Sequence, residues 1–91
     1  MSDAEFTVAW TGPTQRALRK VPEKVAAAAV EFIYGSLADD PQRVGKVLRY
    51  ELAGLHSARR GDYRVIYRIN HEQQVIEIAA IEHRADAYRP H

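Results

Sequence analysis

The stretch Arg59-Arg60-Gly61-Asp62-Tyr63-Arg64-Val65-Ile66-Tyr67-Arg68-Ile69 joins a strand pattern to four arginines. Side chains alternate along an extended chain, so Tyr63, Val65, Tyr67 and Ile69 share one face while Arg64, Ile66 and Arg68 share the other. The first face is apolar enough to be core. The second presents two guanidinium groups about 7 Å apart on a surface stiffened by a sheet. Rigid, bidentate donors of this kind suit the phosphates of a polyanion. The same alternation also describes an edge strand whose solvated charges deter aggregation.

Working outward from the Arg59 to Ile69 strand, Asn70-His71-Glu72-Gln73 reads as a turn, and Gln74 to Glu82 returns as a second strand of a hairpin. The residues from His83 to Pro90 form a polar tail without a strong period. Upstream, Lys46 to Ala58 carries a weaker signal, with a strand expected near Leu48 to Leu52 or after Gly54. Asp39-Asp40-Pro41 is a break, and the chain should be a loop from there to Gly45.

Two helices precede that break. Val25, Ala29, Phe32, Ile33 and Leu37 mark one face of a 3.6-residue period, and Gly35 marks its fraying end. Pro22 opens this helix, with Glu23 near the positive end of its dipole, and stops the shorter helix before it, whose stripe is Ala17, Leu18 and Val21. Thr11 caps the shorter helix near Pro13. Phe6, Val8 and Trp10 alternate with Thr7 and Ala9 as a half-buried first strand. The resulting order, β-α-α-β-β-β, predicts an α+β fold with two N-terminal helices on one face of a small, mostly antiparallel four-stranded sheet. Arg64 and Arg68 should lie on the face that the helices leave bare.

Ninety-one residues allow one domain, 1–91, of the size that buries roughly 60 to 65% of its unfolded surface. No run of 18 apolar residues occurs, and the acidic start lacks the order of a secretion signal, so a soluble cytoplasmic protein without membrane contact is expected. The absence of cysteine fits a reducing compartment and rules out thiol catalysis. The net charge of +1 conceals an asymmetry: residues 1–42 sum to 4 − 6 = −2 and residues 43–91 to 9 − 6 = +3. Arginine supplies eight of those nine cations, and all four histidines lie in the same half. A near-neutral total argues against a general DNA coat, which needs many phosphate contacts, and favours a local basic cleft.

Gly45-Lys46, Leu52-Ala53-Gly54-Leu55, the run from Arg59 to Tyr67, and His83-Arg84 with Tyr88 four residues on together resemble the RelE/ParE superfamily of toxins from type II toxin–antitoxin pairs. The resemblance spans almost the whole chain. The Leu-Ala-Gly-Leu-His-Ser-Ala-Arg-Arg-Gly-Asp-Tyr-Arg block resembles the RelE branch, whose members cut messenger RNA in the ribosomal A site, more than the ParE branch, whose members poison DNA gyrase. It implies a cognate antitoxin partner that wraps the toxin, and the ribosome and mRNA as targets. Arg64 then matches the arginine that contacts the scissile phosphate, and Tyr88 the terminal tyrosine that stacks on a substrate base and helps orient the attacking 2′-hydroxyl. Arg84 matches a basic position of the same terminal motif. The lysine pair of the best-known RelE is missing from Leu55-His56-Ser57-Ala58, and Glu82 stands where another arginine is expected. A degenerate toxin acting only in antitoxin binding and autoregulation is therefore a third reading beside nuclease and gyrase inhibitor.

By residue type, His83 is the natural acid or base, since histidine titrates near neutrality and Arg84 beside it favours the neutral, proton-accepting form. Arg64 and Arg84 would supply electrostatic stabilisation, on the order of 3 kcal/mol per donor, with Asp62, Glu82 and Asp86 as competing ion-pair partners. Tyr88 offers a stacking platform worth roughly 1 to 3 kcal/mol. Arg59, Arg60, Arg68, Lys46 and His56 complete the candidate RNA contacts. No metal-ligand spacing, Gly-rich phosphate loop or Ser-centred motif is present, so neither metal nor cofactor is expected.

Overall fold

The computed structural model describes residues 6–49 and 54–83. Their order is β1 (Thr7–Trp10), α1 (Gly12–Lys20), α2 (Glu23–Phe32), a π-helical turn (Ile33–Leu37), α3 (Pro41–Val44), β2 (Lys46–Val47), β3 (His56–Arg60), β4 (Tyr63–Asn70) and β5 (Val75–His83). The sheet runs β1-β5-β4-β3-β2. All pairings are antiparallel except β1 with β5, which is parallel. The α+β layering is the one expected, with five strands in place of four.

The strand expected after Gly54 is β3, which runs on through Arg59 and Arg60, so the Arg59 to Ile69 run is divided between two strands and the fifth strand is β2. Gly61 takes a φ of +61°, which glycine adopts without strain, and Gly61-Asp62 turns the chain so that Arg59 lies opposite Arg64 and Arg60 opposite Tyr63. Lys46 and Val47 add a short edge strand beside Ser57 and His56. The expected loop from Asp39 to Gly45 contains a helical turn instead, where the Asp40 carboxylate accepts a hydrogen bond from the Arg43 amide at 3.3 Å and Pro41 fills the first-turn position. The strand alternative at Leu48 to Leu52 is not taken by Leu48 or Arg49, and its remainder lies outside the described residues.

The two main helices follow their apolar periodicity, but Gly35, expected at a fraying end, lies inside the π-helical turn and the chain stays helical through Asp39. Thr11 caps α1, and α2 buries Ala29 and Phe32 before the π-helical turn buries Ile33 and Leu37. These side chains meet Tyr63, Val65 and Tyr67 from β4 and Ile76, Ile78 and Ile81 from β5, forming the core between helices and sheet. Thr14 is the one fully buried polar residue there among those described; its hydroxyl donates to the Ile78 carbonyl at 2.8 Å, and the Thr11 hydroxyl reaches the same oxygen at 3.0 Å. That junction pins the start of α1 to β5.

Ile78 and Ile81 are three residues apart yet both face the core. A bulge makes this possible: Ile66 pairs with Ala80 while Tyr67 pairs with Ile78, leaving Ala79 as the extra residue. Without it, strict alternation would turn Ile81 outward and Glu82 inward. The bulge is therefore what delivers Glu82 to the bare face, opposite Arg64.

Candidate nucleic-acid interface

Directly paired residues in a sheet share a face, so the register assigns every side chain. Arg64, Ile66 and Arg68 of β4 lie on the face away from the helices, with Arg59 and Ser57 of β3, Lys46 of β2, and Glu77, Ala80 and Glu82 of β5. One row crosses three strands as Arg59, Arg64, Glu82. A second runs Lys46, Ser57, Ile66, Ala80, and a third holds Arg68 opposite Glu77. The four cations and two carboxylates of these rows sum to 4 − 2 = +2.

In the first row the Arg64 Nε donates to Glu82 Oε1 at 3.0 Å, and Nη2 donates to the same oxygen. Both side chains remain about two-fifths exposed, at 40% and 41%. Glu82 thus takes the edge of the guanidinium formed by Nε and Nη2, and the edge formed by Nη1 and Nη2 has the geometry of a second bidentate donor. Arg59 stands directly across from Arg64. Like charges opposite one another destabilise a sheet, so this pair gains from an anion between the two guanidinium groups. In the third row Arg68 and Glu77 are 3.9 Å apart and more exposed, a looser contact that binds little.

The other candidates face the helices. His83 pairs with Tyr63, whose hydroxyl donates to the Ala28 carbonyl at 3.1 Å and whose ring lies edge-on to Phe32. The same bulge that turns Glu82 out turns His83 in, so the structure separates His83 from Arg64 by the thickness of the sheet. Arg60 also lies on the helix side, with its guanidinium 5.1 Å from the centre of the Phe32 ring as a cation–π contact. His56 stacks on Tyr67 with ring centres 5.5 Å apart, and its Nδ1 is buried without a hydrogen-bond partner. Burial first, and His71 second, push its pKa below the ordinary histidine value, which disfavours protonation. Tyr67 donates to the Pro41 carbonyl at 2.5 Å, and burial with the Asp40 charge pushes its pKa up to about 12. Arg84 and Tyr88 lie outside the described residues.

The register therefore brings together Arg59, Arg64, Arg68 and Lys46 of the expected set, and does not bring His83, Arg60 or His56 to them. Glu82, read from sequence as an ion-pair partner standing where an arginine is expected, joins Arg64 and Arg59 in one row. The signal for it was the three-residue step from Ile78 to Ile81 across two small alanines. Among the described residues, no group of three or more His, Cys, Asp and Glu side chains is placed to hold a metal ion, and no helix is long and apolar enough to cross a membrane.

Residues 8–88 match the family described as ParE toxin of type II toxin–antitoxin system, parDE. Toxin RelG of Mycobacterium tuberculosis is 51% identical over 84 residues, which cover 92% of this chain and 97% of the relative. Toxin RelE of the same organism is 51% identical over 87 residues, covering 96% and 90%. A chain in the crystal structure of the toxin–antitoxin complex RelBE2 from Mycobacterium tuberculosis superimposes with a TM-score of 0.86 at 49% identity, covering 88% of this chain and 99% of its own.

Proposed function

Since this chain belongs to the RelE/ParE superfamily of toxins from type II toxin–antitoxin systems, we propose that it is a ribosome-dependent endoribonuclease that cleaves mRNA and is held inactive by a cognate antitoxin. The observation that carries this reading is the Arg59–Arg64 cross-strand pair on the bare sheet face, where a backbone phosphate can reach both guanidinium groups. The similarity to relatives named RelE and RelG supports the branch. In cleavage by the RNA's own 2′-hydroxyl, Arg64 holds the scissile phosphate through its open edge and Arg59 neutralises charge as the phosphorane forms. Lys46 in the next row and Arg68 one row further along β4 extend the basic track to one side of that pair. The side chains suffice for this chemistry, so the reading assigns no metal. The antitoxin masks the basic face with acidic residues and docks an amphipathic element on an apolar groove.

Primer extension on translated mRNA tests the proposal. The wild type should yield discrete cleavage ends, and Arg64→Ala should reduce them roughly 100-fold or more. Uncut mRNA with folded wild-type protein and translating ribosomes present would remove it. The ParE description of the matching family keeps gyrase inhibition as a second reading. A supercoiling assay separates the two, because a nuclease acting on mRNA leaves DNA topology unchanged.

A further inference from the structure

We propose that Glu82 is the proton acceptor for the attacking 2′-hydroxyl, an inference that rests on the endoribonuclease reading and assigns the base within it. Cleavage needs an acceptor on the same face as the phosphate-binding arginines. His83, the acid or base expected from residue type, lies on the helix side, and so does His56. Among the described residues, Glu77 and Glu82 are the carboxylates that the strand register puts on the bare face, and only Glu82 shares the row of Arg59 and Arg64.

The geometry fits the task. Glu82 spends one oxygen, Oε1, on Arg64, and no described residue occupies Oε2. Because Nη2 of Arg64 belongs to both edges of the guanidinium, a phosphate on the outer edge and the carboxylate on the inner edge become neighbours across a single donor. The nucleophilic oxygen, which must touch both phosphorus and its base, has room at that junction. In the step, Oε2 takes the proton of the 2′-hydroxyl and the freed electron pair forms the bond from O2′ to phosphorus. The bond from phosphorus to O5′ breaks, and water protonates the leaving O5′. The products are a 2′,3′-cyclic phosphate and a 5′-hydroxyl; Glu82 then returns its proton to solvent. A carboxylate braced by Arg64 on a paired strand keeps its direction, which a base on a flexible loop would lack.

Glu82→Gln is the discriminating substitution, because the amide oxygen still accepts from Arg64 but cannot take a proton. In single-turnover cleavage on programmed ribosomes, the expected result is a rate loss of roughly 100-fold or more, ribosome affinity within about threefold of wild type, and disappearance of the acid limb of the pH–rate profile. Glu82→Asp should recover part of the rate and restore that limb. Glu82→Gln cleaving within about threefold of wild type with an unchanged pH profile, or cleaving faster, would overturn the proposal and leave Glu82 as a brace or a brake on Arg64. A rate loss matched by an equal loss of ribosome affinity would overturn it as well. A wild type that leaves mRNA uncut strikes the endoribonuclease reading instead, so the two failures are distinguishable.

Discussion

The two faces of β4 are made by the same eight residues and obey opposite rules. On the helix side Tyr63, Val65 and Tyr67 are buried, and both phenols donate to backbone carbonyls, Tyr63 to Ala28 and Tyr67 to Pro41. On the other side Arg64, Ile66 and Arg68 stay accessible, and their cations are shared with partners that cover only part of them. Burial makes an unmet polar atom expensive, so both inner-face phenols of β4 are met. The outer face tolerates unfinished hydrogen bonding because water completes it, and unfinished bonding is what a ligand can use. Within the outer face the contrast repeats: Arg64 has Arg59 across from it and a tight carboxylate, whereas Arg68 lies beyond the β3 residues that pair with β4 and meets Glu77 loosely.

This contrast predicts that inner-face changes cost stability and outer-face changes cost activity. The largest effect should come from Arg64→Ala, a loss of about 3 to 4 kcal/mol of transition-state stabilisation in single-turnover cleavage with thermal stability shifted by less than about 0.5 kcal/mol. A comparable fall in melting stability would break the division between the faces. Next comes Gly45→Ala. A β-carbon there would sit 2.9 Å from the Ser57 carbonyl and run into the Tyr67 hydroxyl, neither of which can move freely. Denaturant titration should show a loss of about 2 to 3 kcal/mol.

Tyr67→Phe should cost about 1 to 2 kcal/mol by leaving the Pro41 carbonyl without its donor. The folded state raises the Tyr67 pKa to about 12 from an ordinary 10, so its contribution is whole below pH 10 and is lost as pH rises through about 12. Melting curves in alkali should therefore show the gap between wild type and Tyr67→Phe closing; a constant gap would mean that the phenol ionises freely. The smallest effect is Arg68→Ala, with cleavage within about threefold of wild type and stability unchanged within about 0.5 kcal/mol. If Arg68→Ala matched Arg64→Ala in cleavage, the two Arg–Glu pairs would be equivalent and the Arg59 row would lose its special place.

Much of the fold was legible because periodicity and punctuation agreed. The stripe from Val25 to Leu37, the Thr11 cap, the Pro22 boundary and the alternation of β4 each lie in a single window of sequence. The Gly61-Asp62 turn was misread because charge on both sides of it masked the break, although a glycine free to take positive φ was in view. β2 contributes two residues, too few for a period to emerge. The site was half legible. Which arginines face outward on β4 follows from counting by twos, but the facing of His83 and Glu82 depends on a bulge, and counting by twos across Ala79-Ala80 gives the opposite answer. His56 fails for another reason, since its burial comes from the stack on Tyr67, a residue eleven positions away (67 − 56 = 11) that only the sheet brings close.

The position of β5 in the sheet carries a consequence for the order of manufacture. It lies between β1 and β4 and receives the Thr11 and Thr14 hydroxyls, yet it is translated after every other described element. Its partner β1 waits from Thr7 until Val75, a separation of 75 − 7 = 68 residues. Until β5 leaves the ribosome, the nascent chain has neither the strand on which its first strand closes nor the carboxylate that completes the arginine row, and long-range closure of this kind is slow. On the endoribonuclease reading, a half-made copy lacks the finished row through which it would act on the machine that is making it.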